Sequence, residues 1–333
     1  HTLAIVGCLE KSMLRRLIVV GLFVLWPLSA QARDLQREPE AASGTDHKVL
    51  ATAKRHMVAA ANPLAAEAGL EILRKGGSAI DAAIAAQLVL GLVEPQSSGL
   101  GGGAFVVHWK NAARSVTTYD GRETAPAAAM PDRFLVNGVP MDFPDAVRSG
   151  LSVGVPGVVR VMELAHAKHG KLPWAELFRP AIELGDSGFA MPKRLHDLLK
   201  WEGADAFAAG ARGYFFNDDG TPKAAGTVLK NPDYVATLRA IAAGGAKAFY
   251  EGPIAEAMVA AVAAAPNAKG DLTLADLAGY QAKERPALCF RYRDRKICGM
   301  GPPSSGAMTI AQTLKLIEPF SEVPGADNAM RSA

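Results

Sequence analysis

Cysteine is scarce in this sequence: there are three in 333 residues, at positions 8, 289 and 298. With no Cys cluster and no Glu-rich motif, the chain has no obvious set of metal ligands. An excess of one charge is missing too. The 36 Lys and Arg against 33 Asp and Glu leave a formal net charge of +3, without a basic stripe, which argues against a nucleic-acid partner. Low-complexity tracts and internal repeats are absent. The apolar run at 17–25 is well short of the roughly 20 residues that a bilayer requires. What remains is an ordinary globular balance, 49% hydrophobic and 21% charged, enough for one large domain or two small ones.

The N-terminus reads as an export signal. Met13-Leu14-Arg15-Arg16 is a positive n-region, 17–25 an apolar h-region, and Ala30-Gln31-Ala32 a small-x-small cleavage site. Residues 1–32 are therefore expected to be a signal peptide, with an upstream extension over the first twelve. Residues 33–55 are a polar, flexible leader, and 56–333 the folded region. The protein is expected in the periplasm or outside the cell. Ile5-Val6-Gly7-Cys8 has the form of a lipoprotein acylation site, but no apolar signal precedes it.

Local signals then mark the elements. Residues 57–61 are a short apolar strand candidate. Asn62-Pro63 opens a helix that Gly76-Gly77 stops. Ser78 with Asp81 caps a core helix over 79–93. Residues 104–109 and 115–120 form a hairpin turning at Lys110-Asn111. Helices are expected over 158–168, 173–184, 232–244 and 253–264, with Thr273 and Asp276 capping another. A hairpin over 289–300 turns at Arg293-Asp294, and a loop at 301–306 feeds a helix over 307–317. Helices mixed with antiparallel hairpins in this order indicate α+β layering. In the second hairpin, counting outward from the two-residue turn makes Cys289 and Cys298 a non-hydrogen-bonded pair. Their Cα atoms would lie about 4.5 Å apart, within disulfide range, and an oxidising compartment would let the bond persist.

Three motifs that suggest other chemistries fail on context. Gly99-Leu100-Gly101-Gly102-Gly103-Ala104 fits a dinucleotide fingerprint, but it follows a helix and precedes a strand, the reverse of what the fingerprint needs. No Lys-Ser or Lys-Thr follows, so it is not a P-loop; the glycines serve close backbone passage. Gly150-Leu151-Ser152-Val153-Gly154 has the form of a nucleophile elbow, but it has no apolar strand before it, and Pro156 delays the helix after it. His166 and His169, near a helix end, suit a helix dipole better than a metal.

The ordered set of remaining motifs resembles the γ-glutamyltransferase family over about residues 57–317. It comprises Asn62-Pro63-Leu64-Ala65, Gly76-Gly77-Ser78-Ala79-Ile80-Asp81-Ala82-Ala83, and Glu94-Pro95-Gln96-Ser97-Ser98 with the glycines that follow. Asp120-Gly121-Arg122-Glu123-Thr124-Ala125-Pro126, Val155-Pro156-Gly157, Asn231-Pro232, Phe249-Tyr250-Glu251-Gly252 and Pro302-Pro303-Ser304-Ser305-Gly306 continue it. Ala104 and Ala307 stand where the family usually has glycine.

The resemblance implies the αββα sandwich of N-terminal-nucleophile hydrolases, of which this chain would be an incomplete, large-subunit portion. It also implies a chain that cuts itself to expose a Thr, which takes the γ-glutamyl group from glutathione or another γ-glutamyl donor and passes it to water or an amino acid. The free amine of that Thr can act as its base. No cofactor and no metal are implied. Arg122 matches the Arg that pairs with the donor α-carboxylate, a task suited to a planar guanidinium. Glu123 would point to the other side of an extended segment and receives no role. The nucleophile's Thr-Thr-His or Thr-Ser-His context is not found: Thr117-Thr118 is followed by Tyr119. No catalytic residue is therefore assigned, and the nucleophile and the rest of the small subunit are expected beyond residue 333. The alternatives are a β-lactam (glutaryl) acylase on the same scaffold and a non-catalytic exported truncated protein.

Overall fold

The computed structural model describes residues 50–320; the expected export segment, most of the expected leader and residues 321–333 lie outside the described residues. The described fold belongs to one compact unit, Thr52–Ala333.

Capping chemistry starts the first helices. Asn62 accepts the Leu64 N–H, and Pro63 opens α1 (Pro63–Arg74) with its fixed φ. Ser78 and Asp81 close a reciprocal box on α2 (Ala79–Val93). That helix is apolar on nearly every side and is buried accordingly, with Ala85, Leu88 and Val93 fully covered. The expected strand at 57–61 does not form. The segment has no ladder partner among the described residues, and Val58 instead packs against Gly69 of α1.

β1 (Ala104–Lys110) and β2 (Ser115–Gly121) make the expected antiparallel hairpin, with Phe105 opposite Asp120 and Val106 opposite Tyr119. Their connection is longer than a tight turn. It is a 3-10 turn, Asn111–Ala113, closed by Arg114 in the left-handed region. A small hairpin, β3 (Leu135–Val136) and β4 (Val139–Pro140), and a short α3 (Phe143–Val147) follow.

α4 (Val158–His169) is as expected. The helix expected over 173–184 is instead two pieces, a 3-10 turn Trp174–Leu177 and α5 (Arg179–Ser187). Pro180 explains the break, since it offers no N–H to the preceding turn. β5 (Phe189–Ala190), α6 (Lys193–Glu202), α7 (Ala209–Phe215) and β6 (Val228–Leu229) come next. Asn231 caps α8 (Pro232–Gly244), which leads to α9 (Lys247–Tyr250) and α10 (Pro253–Ala263). Thr273 and Asp276 box the start of α11 (Leu274–Gly279).

β7 (Lys283–Arg285) then returns to β2, giving the sheet order β1-β2-β7. β8 (Leu288–Tyr292) and β9 (Arg295–Gly299) form the second hairpin, against which α12 (Gly306–Ile317) packs. Cys289 lies opposite Cys298, and the two are disulfide-bonded with Cα atoms 4.1 Å apart.

The architecture is α+β, and the sheet has two unlike faces. Val106, Tyr119 and Gly121 share the face covered by α4, which in turn packs on α2. Phe105, Val107, Trp109 and Val116 share the other. There Val107 and Trp109 are 50% and 49% exposed, the reverse of what a covered sheet face shows.

Candidate functional site

The charged end of that second face forms a small cavity. Asp120 on β2 and Lys283 and Arg285 on β7 are neighbours across the ladder and point the same way. Arg122 and Glu123, just past the end of β2, Tyr280 after α11, and Pro303 from the 301–306 loop complete most of its wall. The cavity is open to one side, with a volume of about 200 Å³. Two motifs that lie about 180 residues apart in the chain, 120–126 and 302–306, thus meet at one place.

The geometry around Arg122 is specific. The Asp120 carboxylate is nearly buried. One of its oxygens accepts the Arg122 backbone N–H at 2.9 Å, and the other accepts Arg285 Nε at 2.6 Å. The Tyr280 hydroxyl donates to the Arg122 carbonyl at 2.7 Å. Burial, with Asp120 and Glu123 nearby, pushes the Tyr280 phenol up to about 12, so it remains a donor at neutral pH. The Arg122 side chain is 54% exposed, and its Nε lies 3.6 Å from a Glu123 oxygen. An ion pair this open is weak and leaves the guanidinium available to a ligand.

Glu123 does not turn away from Arg122 as an extended segment would require. The ladder ends at Gly121, and both side chains border the cavity. A glycine makes this possible: a Cβ at Gly103 would lie 1.9 Å from Glu123 Oε2. A second one seats Tyr280, since a Cβ at Gly157 would meet the Tyr280 oxygen at 2.3 Å and the Gly121 carbonyl at 2.1 Å. The Gly102 carbonyl also accepts the N–H groups of Gly157 and Val158. The 99–103 glycines thus act partly through close passage; Gly99 and Gly101, however, face open space among the described residues.

The remaining candidates lie elsewhere. Thr118 is buried in mid-strand and donates to the Arg285 carbonyl at 2.6 Å, a structural use of its hydroxyl. Ser152 sits in a 3-10 turn and donates to the Val147 and Ser149 carbonyls, without the strand and helix of an elbow. His166 bonds the Leu172 carbonyl and lies 3.7 Å from Asp81. His169 bonds the Tyr119 hydroxyl at 2.6 Å and stacks on His108, so the two histidines are committed to separate partners.

The family profile for gamma-glutamyltranspeptidase matches residues 65–332. The chain belongs to the gamma-glutamyltranspeptidase family. It is 37% identical over 263 residues to glutathione hydrolase 2 of Arabidopsis thaliana, covering 79% of this chain and 44% of that protein. It is 35% identical over 288 residues to the acylase ACY 1 proenzyme of a Pseudomonas species (strain V22), covering 85% of this chain and 51% of that protein. Among solved structures, the gamma-glutamyltranspeptidase of Helicobacter pylori superposes with a TM-score of 0.77 at 33% identity, covering 81% of this chain and 77% of that one. These matches place the fold among the αββα structures of the family. The chain spans about half the length of the curated relatives it matches.

Sequence reasoning missed the partners of Arg122 in this family member. Asp120 lay inside a motif whose Arg drew the attention. Arg285 and Tyr280 gave no local signal, because only the return of β7 to β2 brings them near.

Proposed function

We propose that the complete protein transfers the γ-glutamyl group of glutathione, or of a similar donor, to water or an amino acid. The described chain would supply one wall of the donor site. The observation that carries this reading is the meeting of the 120–126 and 302–306 motifs around an exposed guanidinium set beside a buried carboxylate.

In this reading Arg122 pairs with the donor α-carboxylate, since its fork can make two parallel charge-assisted bonds. Arg285 borders the same wall but is engaged by Asp120, so it is not free to compete. The acyl-accepting Thr, the oxyanion donors and the remaining donor contacts would come from a small subunit beyond this chain. Its sheet would cover the Phe105, Val107 and Trp109 face. Export, read from 13–32, would place the protein in a compartment where the Cys289–Cys298 bond persists.

The test is Arg122→Lys in the complete protein. A lysine keeps the charge but cannot reproduce the fork. Loss of a charge-assisted bond of about 1.5–3 kcal/mol is expected to raise KM for glutathione by roughly ten- to a hundredfold. A KM within twofold of the parent rules out the carboxylate role.

A second reading, a glutaryl acylase, is favoured by the similarity to the acylase proenzyme. A glutaryl amide lacks the donor's α-amine but could use the same Arg. Comparing kcat/KM for glutathione with that for a glutaryl amide separates the two readings. Release of neither acyl group by the complete, processed protein would favour a non-catalytic one.

A further inference from the structure

We propose that Asp120 and Tyr280 are positioning residues for Arg122, which they hold by its backbone rather than by its guanidinium. This rests on the carboxylate-binding role of Arg122 proposed above.

The two peptide planes that flank the Arg122 Cα are each pinned by one side chain. The N–H of the plane shared with Gly121 is bound by Asp120 at 2.9 Å. The C=O of the plane shared with Glu123 is bound by Tyr280 at 2.7 Å. Peptide planes are rigid, so fixing both fixes φ and ψ at Arg122 and hence the direction of its Cα–Cβ bond. That matters here because the side chain is 54% exposed, and its 3.6 Å ion pair with Glu123 is too open to aim it.

The two clamps are themselves held. Arg285 engages the second Asp120 oxygen at 2.6 Å, so the carboxylate cannot rotate away without breaking that bond. Tyr280 is 6% exposed, its ring lies parallel to that of Tyr250, and the missing side chain of Gly157 makes room for its hydroxyl. In turn, Tyr250 donates to the Pro156 carbonyl, beside that glycine. Both hydroxyls thus serve the 155–157 segment and the 121–123 segment that it abuts. Neither carries a free proton for chemistry, which separates positioning from acid–base use.

The test uses the complete protein, with Tyr280→Phe as the smallest change, Asp120→Asn as the second, and Arg122→Lys as the reference. Tyr280→Phe removes one hydrogen bond and nothing else. It is expected to raise KM for glutathione by about two- to tenfold, with kcat at saturating donor unchanged. Combined with Arg122→Lys it should add little further increase, because a residue that acts through Arg122 has nothing left to position.

A purely structural tyrosine would lower Tm and leave KM within twofold. That result, or full additivity in the double variant, overturns the proposal. If Arg122→Lys itself leaves KM unchanged, the donor-site reading fails and the positioning role falls with it. If Arg122→Lys raises KM and Tyr280→Phe does not, only the positioning role fails. Should Asp120→Asn fold poorly, Tyr280→Phe decides alone.

Discussion

At the scale of single residues, the glycines of this chain divide into two kinds. Gly157 has a Cβ position filled by a carbonyl oxygen and a tyrosine hydroxyl, whereas Gly101 faces open space among the described residues. Gly157→Ala would force apart the 155–157 and 121–123 segments. It is expected to destabilise the chain by about 1–3 kcal/mol, as overpacking does, and to cost donor affinity in the complete protein by displacing Tyr280. Gly101→Ala should leave the stability of the chain within about 0.5 kcal/mol of the parent. Thermal melts of the two variants side by side check the contrast. Equal losses would mean that the open space at Gly101 is closed in solution.

At the scale of elements, β1 and the end of α4 share a feature that the sequence did not reveal. The His108 and His169 rings stack at 4.0 Å, and Tyr119 closes the cluster from β2. Burial holds both imidazoles below the usual histidine range. His169 adds to this at His108, while Lys110 and Lys168 add to it at His169 and Glu284 opposes them. Lys168 and Glu284 pair with each other beside the cluster. The sign follows from linkage. Below the ordinary histidine value of 6.5 the unfolded chain takes up protons that the folded chain resists. Stability is therefore full above that pH and falls as pH drops through the window beneath it, levelling only where the folded imidazoles charge. Melts between pH 8 and 5 should show this decline. His169→Gln should flatten it, and a variant with an unchanged slope would dismiss the cluster as its source.

The elements also show what was legible in advance. Helix starts were, because Asn62, Ser78, Asn231 and Thr273 each carry a cap whose chemistry is local. So was the register of the second hairpin, which a two-residue turn sets by counting. The strand expected at 57–61 and the unbroken helix over 173–184 failed for different reasons. A strand needs a neighbour that no short window contains, and Pro180 removes a bond that apolar periodicity does not register. In the candidate site, Arg122 stood out in advance through its motif, and it borders the cavity. Asp120, Tyr280 and Arg285 were not, because their roles depend on hydrogen bonds across a fold that closes only when β7 returns to β2.

At the scale of the whole molecule, the described residues hold the wall proposed for the donor and no candidate nucleophile. The purified 333-residue chain is expected neither to cleave itself nor to release glutamate from glutathione. Glutamate release abolished by a point change within the chain would contradict this. The half-exposed Val107 and Trp109 are the matching structural sign, an apolar sheet face that needs cover. This bare face also has a consequence for the order of events during synthesis. A ribosome delivers the N-terminal half first, and domains fold as they emerge. If the complete protein is as long as its relatives, the sheet exists before the layer that would hide it. In that interval its open edge and apolar side chains are available to any neighbouring chain. Such a protein gains from staying unfolded until it has crossed the membrane, which an export signal read from its first residues would enforce.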